Sequence, residues 1–158
     1  IARHAPLAQI VAVDIDEQAL AVARHNAERN GVANRIAFLS GDLFQPLAMS
    51  FSHDTMDIVV AHPPYVAESA FAAIQEEVRW EPRKALSGGA DGLRMIARIV
   101  EEAPSWLKNG GRLLMEIGEG QAESVRRIAR ERGCYEEIEV SRDISGIERR
   151  FHAVCIKK

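Results

Sequence analysis

The feature that most constrains the fold is an alternation of short apolar runs with longer stretches whose apolar residues recur at helical spacing. Four runs predict strands: QIVAVDI (Gln9–Ile15), RIAFLSGD (Arg35–Asp42), MDIVVAH (Met56–His62) and RLLMEIG (Arg112–Gly118). The first of them reads as continuously buried. Helical spacing follows in EQALAVARHNAERNG, DGLRMIARIVEEAPSWLKNGG and EGQAESVRRIARERG. Strands that alternate with helices predict a parallel sheet with helices on both faces.

The end of the chain breaks this alternation. YEEIEVSRD and FHAVCIKK read as two strands joined only by the short turn region ISGIERR. A joint this short implies an antiparallel pair, because parallel strands need a longer crossover. The sequence therefore predicts a mostly parallel α/β fold closed by a C-terminal hairpin, as a single domain over residues 1–158.

Composition argues against several classes of protein. The 158 residues carry a net charge of −3. This argues against a protein that binds nucleic acid electrostatically, because such binding needs a concentrated basic surface. The two cysteines, Cys134 and Cys155, have no CxxC spacing, which favours buried thiols in a reducing compartment over a zinc or other metal site. No apolar run approaches membrane-spanning length, so we expect a cytoplasmic protein that does not act at a membrane.

Carboxylates follow two of the predicted strands, at the edge where open α/β sheets bind ligands. Asp14 is placed to accept hydrogen bonds from both hydroxyls of a ribose. Asp42, one strand further along, is placed to accept from the exocyclic amine of adenine, with Leu43 flanking the base. Aspartates at strand ends also cap the helices that follow them, and Asp16 before EQAL fits such an N-cap best. The aspartates thus predict a nucleoside site with a helix cap beside it.

The stretch HPPY ends the third strand at a stiff corner. Pro63 and Pro64 fix φ and have no N–H, so their carbonyls are held rigidly. Tyr65 adds a flat face for a planar group and a hydroxyl to anchor it. The corner suits a site that holds an amide or amine nitrogen in line with a methyl donor, a reaction that needs positioning more than a strong base. The alternative is a rigid loop without chemistry.

Five motifs resemble, in order, the HemK-like glutamine methyltransferases: AVDIDEQALAVARHNAERNG, GDLF, PPYV, EPRKALSGGADGL and LLMEIGEGQ. Those enzymes methylate the side-chain amide nitrogen of the glutamine in the Gly-Gly-Gln loop of peptide-chain release factors. The resemblance covers nearly the whole chain, and EPRKALSGGADGL is its most specific part. It implies a class I methyltransferase fold, which is Rossmann-like, and S-adenosylmethionine as the cofactor. It also implies a release factor as the protein partner, so that any contact with nucleic acid is indirect.

The resemblance also implies roles for individual residues. On the cofactor side, Asp14 would hold the ribose, with Asp42 and Leu43 beside the adenine, and His62 would face the methyl donor. The catalytic corner and the substrate side of the pocket would be formed by His62, Pro63, Pro64, Tyr65, Glu81, Pro82 and Arg83.

Two departures from the family pattern bear on activity. His62 stands where the family has Asn, which presents an acceptor and a donor together, whereas a neutral imidazole carries them on opposite sides of a larger ring. We therefore expect a large loss of rate. The second departure is that the family's first strand and glycine-rich loop, which would precede Ile1, are absent from this sequence. In the family's fold that strand lies in the middle of the sheet, between the strands that end at Asp14 and His62. We expect an N-terminally incomplete domain, or a chain that recruits a strand by forming a homo-oligomer.

Two other functions stay open. The first is an amino-methylase of adenine or guanine in nucleic acid, since such enzymes share the Pro-Pro-Tyr corner; the acidic balance and EPRKALSGGADGL weigh against it. The second is a catalytically degenerate methyltransferase domain that serves as a binding module, which His62 and the missing first strand favour.

Overall fold

The structure is a computed structural model that describes residues 1–157, and these residues form two compact units. Unit 1 is Ile1–Ser52, and unit 2 runs from His53 onward. Both units combine strands with helices, which confirms the predicted α/β class. The prediction of one domain over residues 1–158 stays a prediction.

Unit 1 is a strand–helix–strand element. It contains β1 (Ile10–Asp14), α1 (Glu17–Arg29) and β2 (Ile36–Ser40), followed by a 3₁₀ turn at Gln45–Met49. β1 pairs with β2 in parallel. The prediction that β1 is buried throughout is wrong: its residues from Ile10 to Val13 are half-buried, since within residues 1–157 β1 hydrogen-bonds to a strand on one side only.

The first helix begins where its sequence predicts. The Asp16 carboxylate accepts hydrogen bonds from the N–H groups of Gln18 and Ala19, which confirms it as the N-cap and satisfies donors that the first helical turn leaves free. The helix ends at Arg29 with Asn30 as its C-cap, and Gly31 follows with φ +65°. The residues at the two ends of α1 thus explain where the helix begins and ends.

Unit 2 holds the larger sheet. Its strands and helices are β3 (Met56–Ala61), β4 (Val66–Ala67), α2 (Arg83–Leu86), β5 (Ser87–Gly89), α3 (Arg94–Glu102), β6 (Leu107–Glu116), α4 (Ala122–Arg132), β7 (Tyr135–Arg142) and β8 (Glu148–Cys155). The strand order is β3-β6-β8-β7, with β3 and β6 parallel and β8 antiparallel to both β6 and β7. The predicted C-terminal hairpin is confirmed. A separate parallel pair joins β4 to β5.

One predicted helix is shorter than its pattern suggests. The spacing of DGLRMIARIVEEAPSWLKNGG predicts a helix up to Gly111, but α3 ends at Glu102 and β6 begins at Leu107. Pro104 explains the stop, because it has no N–H to donate to the carbonyl of Val100 one turn earlier. The hydroxyl of Tyr135 donates to that carbonyl instead, at 2.9 Å.

The core of unit 2 lies where α3 and α4 cover the sheet. Among its fully buried side chains are Phe151, Ile96, Ile99, Leu107, Leu113, Ile117, Val100, Val125 and Cys155. No helix formed by residues 1–157 has the length and apolar character needed to cross a membrane.

Candidate functional site

Two strand ends of unit 2 bring a histidine and a carboxylate together. β3 and β6 run in parallel with Ala61 opposite Met115, so the next residue of each strand, His62 and Glu116, emerges at the same edge of the sheet. The Nε2 atom of His62 lies 3.2 Å from Oε1 of Glu116. Both side chains are accessible from outside, with 69% and 43% of their surfaces exposed.

The Tyr65 side chain joins the same carboxylate. Its hydroxyl donates to Oε1 of Glu116 at 3.0 Å, and its ring meets the His62 imidazole edge-on, with 5.7 Å between ring centres and 65° between planes. One carboxylate oxygen therefore binds both polar groups of the HPPY corner. The guanidinium of Arg149 lies 6.0 Å from the centre of the Tyr65 ring on its face.

Burial and charge both act on the Tyr65 phenol. Desolvation is the largest cause that raises its pKa above the ordinary value, followed by the hydrogen bond to Glu116 and the negative charge of that carboxylate. Arg149 opposes the rise in pKa, and Glu81 adds to it. Tyr65 therefore stays a neutral hydrogen-bond donor across the physiological pH range.

The backbone of the corner is fixed by a second set of contacts. The Gln121 side chain donates to the Tyr65 carbonyl at 3.0 Å and accepts from the N–H of Gly118 at 2.8 Å. Gly92 packs against the same carbonyl: a Cβ atom there would lie 2.3 Å from the Tyr65 oxygen, and its φ of +79° favours glycine. Pro63 is buried and Pro64 half-buried, so packing adds to the restraint that the proline rings place on φ.

Glu81 and Arg83 line a cavity of about 190 Å³ in unit 2, together with Phe71, Ile74, Arg79 and Leu86. The Arg83 guanidinium lies 4.8 Å from the centre of the Phe71 ring on its face, so its charge is held against an apolar wall. Glu81 is close enough for its charge to act on the Tyr65 phenol. The cavity and the corner are thus linked through Glu81.

The strand-end residues of unit 1 form a second, separate set. Oδ1 of Asp14 accepts from the N–H of Asp16 at 2.8 Å, and the Asp14 carbonyl accepts from the N–H of Gly41 at 3.0 Å. The second bond ties the ends of β1 and β2 together, and the first orders the turn that follows β1. Leu43, two residues beyond Gly41, has φ +48°, a left-handed conformation that costs a residue with a side chain about 1–2 kcal/mol.

The predicted site residues therefore cluster within each unit. Asp14, Asp42 and Leu43 follow neighbouring strands in unit 1. In unit 2, His62 and Tyr65 share one carboxylate, and Glu81 and Arg83 line one cavity. That the two sets form a single binding site stays a prediction. Within residues 1–157, no group of three or more His, Cys, Asp or Glu side chains is arranged to hold a metal ion.

Three residues of the corner were not predicted: Glu116, Gln121 and Gly92. Glu116 follows a strand in the same way as the aspartates of unit 1, so the rule applied to Asp14 and Asp42 would have found it. Gln121 and Gly92 carry no such signal, because their contacts with Tyr65 arise from tertiary packing alone.

Comparison with known proteins shows the family to which this chain belongs. A family model described as "Methyltransferase domain" matches residues 1–147. The chain belongs to the methyltransferase-domain family. A curated relative from Thermodesulfovibrio yellowstonii, named release factor glutamine methyltransferase, is 39% identical over 150 residues, which is 94% of this chain and 52% of the relative. A ribosomal protein uL3 glutamine methyltransferase from Burkholderia pseudomallei is 42% identical over 120 residues, covering 74% of this chain and 39% of that protein.

Solved structures confirm the methyltransferase fold. A methyltransferase from Pyrococcus furiosus superposes with a TM-score of 0.68 at 16% identity, covering 94% of this chain and 64% of that one. A release factor-specific protein-(glutamine-N5) methyltransferase from Alicyclobacillus acidocaldarius has a TM-score of 0.50 at 19% identity, covering 95% and 81%. The chain spans about half the length of the curated relatives it matches, and the resemblance to release-factor glutamine methyltransferases is confirmed as a sequence similarity.

Proposed function

We propose that this chain is the methyl-transferring part of an S-adenosylmethionine-dependent protein-glutamine methyltransferase, and that its substrate is the Gly-Gly-Gln glutamine of a peptide-chain release factor. The observation that carries the proposal is the HPPY corner: a rigid turn at the carboxyl end of β3, with the Tyr65 carbonyl and hydroxyl both held by other parts of unit 2. The 39% identity to release factor glutamine methyltransferases supports the choice of substrate. A cytoplasmic setting is part of the same proposal.

The residues of unit 1 fit a nucleoside-bearing cofactor. Asp14 is exposed at the end of β1, and its carboxylate is an acceptor for two hydroxyl groups. Leu43 stands in a left-handed conformation at the end of the second strand, and strained backbone of this kind clusters at ligand sites. In this proposal, Asp14 holds the ribose, and Asp42 and Leu43 border the adenine. S-adenosylmethionine, when bound, supplies an electrophilic methyl group on a sulfonium.

The residues of unit 2 fit an amide substrate. In this proposal, carbonyl groups in the HPPY corner accept hydrogen bonds from an amide NH₂, and the fixed φ of Pro63 and Pro64 limits how far these carbonyls can turn. Such fixed acceptors orient the nitrogen lone pair, which is the main requirement of methyl transfer. Glu81 and Arg83 border the cavity beside the corner and are the side chains placed to contact the residues that flank the glutamine.

A second substrate is favoured by one observation. The 42% identity to a ribosomal protein uL3 glutamine methyltransferase is of the same order as the identity to the release-factor enzymes. Both names describe methylation of a glutamine, so the corner suits either substrate equally. The surface around the cavity then determines which of the two proteins is bound.

The test is a methyl-transfer assay on the 158-residue chain with radiolabelled S-adenosylmethionine and three substrates in separate reactions: a peptide-chain release factor, ribosomal protein uL3, and DNA or RNA. The matched control is a release factor whose Gly-Gly-Gln glutamine is replaced by alanine. We expect label on the native release factor alone, with the modified residue identified by peptide mass spectrometry.

Each other outcome has a defined meaning. Label on uL3 alone changes the substrate, and label on nucleic acid supports an amino-methylase of adenine or guanine. A calorimetric titration of the cofactor into the same chain distinguishes the remaining cases. Binding without transfer to any substrate rejects the enzyme assignment, and a stable fold without cofactor binding supports the binding-module alternative.

A further inference from the structure

We propose that Glu116 is a positioning residue that holds His62 as the acceptor of the proton lost by the substrate amide. The inference rests on the proposed function and deepens it. The family that this chain resembles has Asn at the position of His62, and the proposal gives the His62 side chain a role in the reaction.

The contact between His62 and Glu116 fixes which ring nitrogen carries the proton. An ionised carboxylate only accepts hydrogen bonds, and Oε1 of Glu116 lies 3.2 Å from Nε2 of His62. A lone pair on Nε2 would face the negative charge at this distance and be repelled, so the hydrogen of the neutral imidazole lies on Nε2. The hydrogen bond of one ring nitrogen sets the state of the other, so Nδ1 carries the lone pair and is the acceptor.

The same carboxylate holds the ring in place. With 69% of its side chain exposed, His62 gains little orientation from burial. The contact with Glu116 orients the ring instead. The Tyr65 hydroxyl binds the same Oε1 atom and the Tyr65 ring contacts the imidazole, so the position of His62 relative to the corner is set as well. Because Gln121 fixes the Tyr65 backbone, the position of His62 is set by the rigid part of unit 2.

Methyl transfer to an amide requires a proton acceptor of this kind. The nitrogen lone pair forms the new N–C bond, the pair of the broken C–S bond stays on the sulfur of the sulfonium donor, and the nitrogen must then lose one proton. Nδ1 of His62 takes that proton with its lone pair. The resulting imidazolium is paired with the Glu116 carboxylate, whose negative charge stabilises it as the aspartate of a Ser-His-Asp triad stabilises its histidine.

The first experiment needs no activity. Nitrogen-15 NMR of the ring nitrogens, on the 158-residue chain with labelled histidine, reports the tautomer of His62 at alkaline pH; the variant His62→Asn assigns its signals among the five histidines. We expect a protonated Nε2 and an unprotonated Nδ1. The variant Glu116→Ala should shift both signals toward those of a free neutral histidine, in which both tautomers are populated, while Glu119→Gln, an exposed carboxylate on the same connection, should not. A proton on Nδ1 in the native chain overturns the proposal.

The second experiment measures turnover with the release factor. Glu116→Gln keeps a hydrogen-bond acceptor and removes the charge, so we expect kcat to fall about tenfold or more with little change in KM, since general acid–base groups contribute about 10²–10⁴-fold. Glu119→Gln should retain the native kcat. Equal kcat in native and Glu116→Gln chains overturns the proposal, and so does faster turnover by His62→Asn.

Failure of the proposed function looks different. If neither the native chain nor any variant methylates any of the three substrates, the proposed function is wrong, and the NMR result alone decides whether Glu116 positions His62. Ring signals that are identical in the native chain and in Glu116→Ala then reject that positioning, while a shift toward those of a free histidine supports it.

Discussion

The two strand edges that carry the predicted site residues are built in different ways. At the end of β1 in unit 1, the side-chain hydrogen bonds described above are local: Asp14 accepts from Asp16, and Asp16 accepts from Gln18, each two residues away. At the end of β3 in unit 2, Tyr65 binds Glu116 and Gln121, which follow it by 51 and 56 residues. These side-chain contacts stay within one segment at the first edge, where only the Asp14 backbone reaches β2 through Gly41, and they join distant parts of unit 2 at the second. Substitutions should therefore disturb the second edge more than the first.

The largest effect is expected at Gly92. Alanine there would place its Cβ 2.3 Å from the Tyr65 carbonyl oxygen and 2.6 Å from Nε2 of Gln121, at a φ of +79°. We expect Gly92→Ala to lower the free energy of unfolding by about 3 kcal/mol or more, from backbone strain and steric overlap together. Urea unfolding followed by tryptophan fluorescence measures it in unit 2, which contains both Trp80 and Trp106.

Gly110 offers the matched control for that substitution. Its φ is +77°, but a Cβ there would meet nothing within 4 Å. Gly110→Ala should therefore cost only the strain of about 1–2 kcal/mol. Equal losses in the two variants would show that packing against the Tyr65 carbonyl contributes nothing, and that the rigidity of the corner has another origin.

A middle-sized effect is expected at Gln121. Gln121→Leu removes the donor to the Tyr65 carbonyl and the acceptor for Gly118, leaving two partly buried backbone groups without these partners. We expect a loss of about 1–3 kcal/mol in the free energy of unfolding, measured by the same fluorescence titration. Gln121→Glu keeps the acceptor and loses only the donor, so a loss as large as that of leucine would contradict the two-bond description.

A smaller effect is expected at the local edge. Asp16→Ala removes the N-cap of α1 and should cost about 1 kcal/mol, while Asp16→Asn keeps a capping oxygen and should cost less. Far-UV circular dichroism during urea unfolding measures both variants. A loss at Asp16 that exceeds the loss at Gln121 would reverse the comparison between the two edges.

The smallest effect concerns titration of Tyr65. Glu116→Gln removes the negative charge that helps to raise the phenol pKa and leaves desolvation and an acceptor for the hydroxyl, so the pKa should move down toward its ordinary value of about 10. A raised pKa favours the neutral phenol in the folded state, so this contribution to stability is present below about pH 10 and is lost as the pH rises through the folded pKa. Ultraviolet absorbance of the phenolate measures the shift.

Tyr135→Phe serves as the background for that titration, because the chain has two tyrosines and burial also raises the pKa of Tyr135. In this background the absorbance change belongs to Tyr65 alone. An unchanged Tyr65 pKa in the Glu116→Gln variant would contradict the influence of the Glu116 charge on the phenol.

The same contrast explains how much of the structure could be predicted. The cap at Asp16, the strands β1, β2 and β3 and the C-terminal hairpin depend on patterns that a few neighbouring residues carry, and their prediction is confirmed. The end of α3 was predicted too late in the sequence, because the apolar spacing continues past Pro104. The prediction followed that spacing and gave too little weight to the N–H that Pro104 lacks. Gln121 and Gly92 could not be found by pattern, since their contacts with Tyr65 exist only once unit 2 has folded.

The hydrogen bond between Tyr135 and Val100 has a consequence for the order of folding. Helix α3 lacks the donor that would satisfy the Val100 carbonyl, and a hydroxyl 35 residues later supplies it. The last turn of α3 is therefore stabilised by this hydrogen bond only when the start of β7 packs against it. For this reason α3 and the C-terminal strands should become protected from hydrogen exchange as one cooperative unit.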